Sequence, residues 1–182
     1  GLPLLAGGQG AQAAVPAVTL DNDLTQLLLD ARGRVIGLVD KATGKNRCAP
    51  VPEYFVTLRK GDVAQRPSGC TEDGGKLTFA FRKRGITAQV NVTVKQRYFV
   101  FELAAVSDPD VDEAVLGGLA VDLAKDMSAS VAWASDGEFA VAVVPLNLQV
   151  EVGLTGGTYP AFAPKCVRRY GLPGAKIALA GC

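Results

Sequence analysis

Histidine is absent from all 182 residues. That removes Ser-His-Asp and Cys-His nucleophile systems and His-ligated zinc from this chain. Any acid–base step would fall to Asp, Glu, Lys or Tyr. An excess of one charge is missing too. Nineteen basic and eighteen acidic residues leave a net charge of +1, too weak a field to hold a nucleic-acid backbone by counterion release. No apolar run approaches the roughly 20 residues of a membrane-spanning helix. Sustained helical periodicity is lacking, and only residues 122–128 are expected to form a helical turn. The four cysteines, Cys48, Cys70, Cys166 and Cys182, contain no C-x-x-C pair, which argues against a zinc ribbon or a thioredoxin-type redox site.

What is present describes an ordinary folded protein. The hydrophobic fraction is 48% and the charged fraction 20%, which excludes disorder over the whole length. One domain is expected. A chain of this size buries roughly 70% of its unfolded surface and needs no metal or disulfide to have a core. A Cys48–Cys70 disulfide is nevertheless expected, because both residues flank one predicted strand; its loop of about 20 residues would stabilise by about 3 kcal/mol through chain entropy. Four free thiols are the alternative. At the start, Leu2-Pro3-Leu4-Leu5-Ala6 and Ala11-Gln12-Ala13 resemble the end of a secretory signal peptide, without its basic region. Residues 1–19 are therefore expected to be an N-terminal arm or signal remnant, and 20–182 one β-sandwich domain excised from a longer protein. The expected location is secreted or periplasmic.

The strongest local pattern is β. Two apolar runs at 27–29 and 35–39 flank Asp30-Ala31-Arg32-Gly33, which predicts a hairpin. Between residues 76 and 106, Leu77, Phe79, Phe81, then Ile86, Ala88, Val90, Val92 and Val94, then Phe99, Phe101 and Leu103 alternate with mostly polar residues. A period of two with short connections predicts an antiparallel meander with one buried face. Further strands are expected at 53–59, 115–123, 130–133, 139–145, 148–152, 166–170 and 176–180. Their spacing, punctuated by Gly, Pro and Asp, reads as an all-β antiparallel sandwich with little or no helix.

Leu27, Asp30, Gly33, Val35, Leu38, Asp40, Thr43 and Gly44 together resemble the first hairpin of galactose-mutarotase-like sandwich domains. The sequences Pro109-Asp110-Val111-Asp112-Glu113 and Gly174-Ala175-Lys176-Ile177-Ala178-Leu179 are similar to the N-terminal sandwich of large secreted bacterial glycoside-hydrolase-type proteins. The resemblance covers most of residues 20–181 and implies a galactose-mutarotase-like supersandwich. It also implies a non-catalytic module whose partner is a catalytic domain of the same polypeptide. The histidines on which mutarotases rely are missing here, so their catalytic residues do not carry over. Such architecture hosts many functions.

Candidate sites are few. Asp108, Asp110 and Asp112, with Glu113, could supply oxygens to a calcium ion; the alternative is a solvated turn begun by Pro109. No other cofactor is expected. Asp21 with Asp23, and Asp136 with Glu138, are the carboxylate pairs to weigh for glycosidase chemistry. Asp136-Gly137 reads more simply as a hairpin turn, and Asp30 and Asp40 as turn residues. For stacking on a polysaccharide or oligosaccharide, Tyr159 and Phe162 in an irregular loop are the leading aromatics, or else they plug the sandwich. Trp133 falls in step with Val131 and is expected first in the core, with a binding role as its alternative. Arg82-Lys83-Arg84 caps a hairpin, and the sequon Asn91-Val92-Thr93 lies mid-strand. The expected function is a structural or carbohydrate-associated module of a glycoside hydrolase. An autonomous carbohydrate-binding module and an Asp/Glu-dependent enzyme are the alternatives. Neither nucleic acid nor membrane is expected as a partner.

Overall fold

The period-two alternation becomes antiparallel sheet in the computed structural model, which describes residues 15–82 and 85–182. The first half of the chain forms β1 (Val18–Asp21), β2 (Thr25–Leu29), β3 (Val35–Asp40), β4 (Val56–Lys60), β5 (Val63–Gln65), β6 (Gly69–Asp73), β7 (Lys76–Phe81), β8 (Ile86–Val94) and β9 (Tyr98–Val106). The second half forms β10 (Glu113–Leu116), β11 (Leu119–Ala120), β12 (Asp126–Ser128), β13 (Trp133–Ser135), β14 (Ala140–Pro145) and β15 (Val150–Glu151). It ends with β16 (Leu154–Thr155), β17 (Ala161–Phe162), β18 (Lys165–Val167) and β19 (Lys176–Gly181). No α-helix occurs among the described residues.

The principal layer is an eight-stranded sheet in the order β12-β13-β14-β19-β9-β8-β7-β6. A five-stranded sheet, β15-β18-β10-β4-β5, supplies the second layer, and two three-stranded sheets, β1-β2-β3 and β11-β17-β16, complete the fold. The crossing from β9 to β10 carries the chain from the first layer to the second, through the loop that contains Pro109. Strand β19 lies between β9 and β14, so chain-distant segments meet in the middle of the large sheet.

Alternation decides what the layers enclose. Leu77, Phe79, Phe81, Ala88, Val90, Phe99, Phe101 and Leu103 all point inward and are buried. Phe55, just before β4, stacks on Phe79 at 6.2 Å and meets Phe101 edge-on at 4.7 Å, joining the two layers. The opening hairpin packs its Leu27, Leu29, Val35 and Leu38 into the same core. Asp30 holds its turn: its Oδ1 accepts the Arg32 and Arg34 N–H groups, both at 2.9 Å, and its Oδ2 accepts Arg34 Nε at 2.6 Å. Asp40 does the same for the next turn, accepting Ala42 N–H at 3.0 Å and the Thr43 hydroxyl at 2.6 Å. Both aspartates thus serve as turn residues.

Five expectations change. The strand expected at 130–133 begins only at Trp133, because residues 129–132 form a turn. Strand β1 starts at Val18, two residues before the domain boundary expected at residue 20; of the expected arm, residues 1–14 lie outside the described residues. The strand expected at 115–123 is cut after Leu116, because Gly117 adopts φ +86° and Gly118 runs against the Tyr54 carbonyl with no room for a side chain. Residues 122–128 form no helical turn; 126–128 pair instead as β12 with β13. The strand expected at 166–170 stops at Val167 and continues as a single 3-10 turn, Arg168–Tyr170.

Gly33 makes the tightest demand on sequence. Its φ is +74°, and a Cβ there would sit 2.8 Å from the Phe79 ring and 3.3 Å from Cys70. Gly33→Ala is expected to cost about 2–4 kcal/mol, since strained backbone and core overpacking add. Urea unfolding would register this as a lower midpoint at unchanged slope; an unaltered midpoint would contradict the described turn.

Candidate functional site

Side chains of directly paired residues lie on the same face of a sheet, so the register of the eight-stranded sheet specifies its outer surface. Trp133 pairs with Ala142, Ala142 with Ala180, and Ala180 with Tyr98. These four residues form one row across β13, β14, β19 and β9. Three strand spacings separate its ends, roughly 14 Å between backbones. The next row, Val144–Ala178–Val100–Thr93, extends the apolar floor. Beyond it the surface turns polar, with Lys176 and Glu102 paired at 2.9 Å and Asn91 and Lys76 in register beside them. Two aromatics therefore flank a floor of small side chains. Tyr98 is 40% exposed and Trp133 is half-buried.

This arrangement corrects the expectation that Trp133 belongs to the core. Ala132 and Ala134 are the buried residues, and Val131 is exposed. Val131 and Trp133 do stay in step, as expected, but they share the outward face, and the small Ala132 and Ala134 take the inward positions. Tyr98 was not anticipated. The signal was its position before the inward-facing Phe99, which puts it on the wet face of its strand.

The irregular loop at 156–162 behaves differently at its two aromatics. Tyr159 is exposed, but Phe162 is buried in the core on β17, opposite Leu119 and Leu154. Phe162 is thus a packing residue and is not available to stack on a ligand.

The carboxylates converge on a cation. Arg47 is almost fully buried; its Nη1 donates to Asp136 Oδ2 at 2.6 Å and its Nη2 to Asp40 Oδ2 at 3.2 Å. Its guanidinium lies 5.0 Å from the Phe139 ring centre. Asp136 also accepts Glu138 and Phe139 N–H groups at 2.9 and 2.8 Å, so Asp136-Gly137 is the hairpin turn between β13 and β14. The Thr43 hydroxyl, reinforced by Arg47, holds the Asp40 carboxyl below its ordinary range. Burial pushes Asp136 upward, but the two turn N–H groups and Arg47 overcome it and its carboxyl is lowered as well. A glycosidase general acid needs the opposite shift. Asp21 is tied to Lys41 at 3.1 Å and Glu138 to Lys45 at 3.3 Å.

The acidic loop is likewise neutralised from within the protein. Lys60 Nζ lies 3.2 Å from Asp108 and 3.1 Å from Asp110, while Asp112 accepts Gly61 N–H at 2.8 Å and pairs with Arg168 at 2.8 Å. The calcium expectation for Asp108, Asp110 and Asp112 is corrected accordingly. An ammonium and a guanidinium take the carboxylates, and no group of three or more potential metal ligands forms among the described residues.

All four cysteines are free, so the Cys48–Cys70 disulfide is not formed. Cys48 is bridged to Val121, whereas Cys70 sits on β6 in register with Phe79. Burial pushes the thiols of Cys48, Cys70 and Cys166 up to about 12. Cys182 is exposed.

Comparison with known proteins adds no family: no protein-family model matches the chain, and no curated protein matches it significantly.

Two tests follow from this geometry. Arg47→Met would leave Asp40 and Asp136 facing each other without their cation, a loss of about 3–5 kcal/mol. Because both carboxyls are lowered in the folded state, their stabilisation is complete above the unfolded value near 3.9 and is lost as pH falls through the lower folded values. Thermal melts should therefore decline below about pH 4 in the parent protein, and a shallower acid decline is expected in Arg47→Met. For the thiols, a disulfide-exchange reagent at neutral pH should label Cys182 rapidly and the other three only after denaturation. Fewer than four reactive thiols in the denatured, unreduced protein would restore a disulfide.

Proposed function

We propose that the chain is a non-catalytic, carbohydrate-associated β-sandwich module, and that the outer face of its eight-stranded sheet is the working surface. The observation carrying this reading is the Trp133–Ala142–Ala180–Tyr98 row. A sugar ring presents a flat face of C–H groups that stacks on an aromatic side chain, and its hydroxyls need polar partners nearby. Small alanines between two aromatics leave room for such a ring, and Lys176, Glu102 and Asn91 supply hydrogen-bonding groups along the same face. The hairpin resemblance to galactose-mutarotase-like domains supports a carbohydrate setting, in a secreted glycoside hydrolase whose chemistry resides in another domain. The missing histidines and the lowered carboxyls of Asp40 and Asp136 favour recognition over catalysis.

A second reading has its own observation. Val144, Leu146 and Leu148 are 44%, 47% and 96% exposed along and just beyond β14. Aliphatic exposure of this kind suits packing against a neighbouring domain of the same polypeptide.

Trp133 is the single tryptophan, so intrinsic fluorescence reports on the row directly. A glycan that binds on an array should shift this emission saturably. Tyr98→Ala should weaken that glycan about tenfold, or about 1.4 kcal/mol, with an unchanged melting profile. If no glycan binds and the emission shifts only on adding the neighbouring domain, the packing reading replaces the first.

A further inference from the structure

Many of the protein's cations are neutralised by a neighbouring carboxylate. Arg34, Lys41, Lys45, Arg47, Arg59, Lys60, Lys165, Arg168, Arg169 and Lys176 all have a carboxylate within ion-pair distance. Arg32, Arg66, Lys76, Arg82, Lys95, Arg97 and Lys125 have none among the described residues, and of these Arg32, Arg66 and Arg82 line one cleft with Tyr54, Pro67 and Ser68. Its volume is about 260 Å³. A second hollow of about 280 Å³ adjoins it, sharing Arg66 and Arg82 and adding Gln65.

Three unrelated parts of the chain build this convergence. Arg32 comes from the turn after β2, whose shape Asp30 fixes. Arg66 lies where the chain leaves β5, the edge of the five-stranded sheet, for β6, the edge of the eight-stranded one. Arg82 directly follows β7. Tyr54, bridged to Arg34, carries the Arg66 guanidinium 5.5 Å from its ring centre. Such stacking orients a guanidinium before any ligand arrives, which reduces the ordering cost of binding. Gln65, at the wall of the second hollow, has its side-chain oxygen buried.

Like charges gathered without a counter-charge repel one another, and a bound anion removes that repulsion. The guanidinium fork matches the paired oxygens of a carboxylate, sulfate or phosphate. We propose that the Arg32–Arg66–Arg82 cleft is a binding site for a ligand bearing an oxyanion, a carboxylate or a tetrahedral sulfate or phosphate group. It shares no residue with the Trp133–Tyr98 row, so either reading can fail without the other. Simple protection of two sheet edges by positive charge is the competing account.

The test is an amide-resonance titration of the full chain with sodium sulfate, sodium phosphate and glucuronate, with glucose as the uncharged comparison. Saturable shifts centred on residues 32, 66–68 and 82 are expected from at least one anion and not from glucose. The arms separate tetrahedral anions from carboxylates. Arg66→Gln combined with Arg82→Gln should weaken binding at least tenfold, about the effect of losing charge-assisted hydrogen bonds. Arg169→Gln, which removes one positive charge elsewhere, should change it less than about twofold. All three side chains are exposed, so the melting profile of the double variant should match the parent and certify its fold. The proposal is overturned if no anion gives saturable shifts, or if Arg169→Gln weakens binding as much as the double variant. It is equally overturned if only nucleic acid or anionic vesicles bind; edge protection then stands.

Discussion

The inner face of the eight-stranded sheet must stay dry, and most of what the molecule presents to solvent follows from that. Leu77 and Phe79 on β7 and Phe99, Phe101 and Leu103 on β9 occupy alternate positions on either side of β8, and Phe55 locks onto them from the other layer. Once this register is fixed, every intervening residue is committed to the outer face. Tyr98 and Trp133 share a row because Phe99 and Ala134 are buried beside them. The working surface is thus a by-product of core packing, with no separate device needed to align it.

Electrostatics is arranged around the same frame. Arg47 joins the turn after β3 to the turn after β13 by pairing with Asp40 and Asp136, which are distant in sequence and adjacent in space. A buried pair of this kind contributes more to choosing one arrangement than to overall stability. Here it pins the opening hairpin to the end of the large sheet. The acidic loop is treated similarly by Lys60 and Arg168. The arginine cleft differs from these sites in gathering three cations with no ion-paired carboxylate among the described residues.

The meander from Lys76 to Val106 was legible in the sequence because strict alternation, short connections and β-branched residues agree there. The opening hairpin was legible for the same reason, and its aspartates proved to be turn residues. Other features were hidden because their causes are not local. Trp133 and Val131 keep their common phase, but the opposing layer covers the alanine face of that segment instead of the face with the larger side chains. Gly117 and Gly118 end a strand because of a backbone that approaches from Tyr54. Phe162 is buried by β11 and β16, partners its own loop does not announce. The arginine cleft draws on residues 32, 66 and 82, a grouping no spacing rule would suggest. The carboxylates were visible as candidates, but their cations were not, and the cations decide their chemistry.

The central position of β19 has a bearing on how the molecule is assembled during synthesis. Strands β6 to β9 can zip together as soon as they emerge, since each pairs with its neighbour in the chain. Strands β12 to β14 can do likewise. The two ribbons have no direct seam, however, and only residues 176–181 join them. Until that segment appears, Phe99 and Val141 each border an open edge, and the aromatic row exists as two halves with no floor between them. Long-range pairing of this sort is slow to form. The last described strand is therefore the keystone of the large sheet, and the nascent protein must be kept from pairing its two exposed edges with other chains until the keystone arrives.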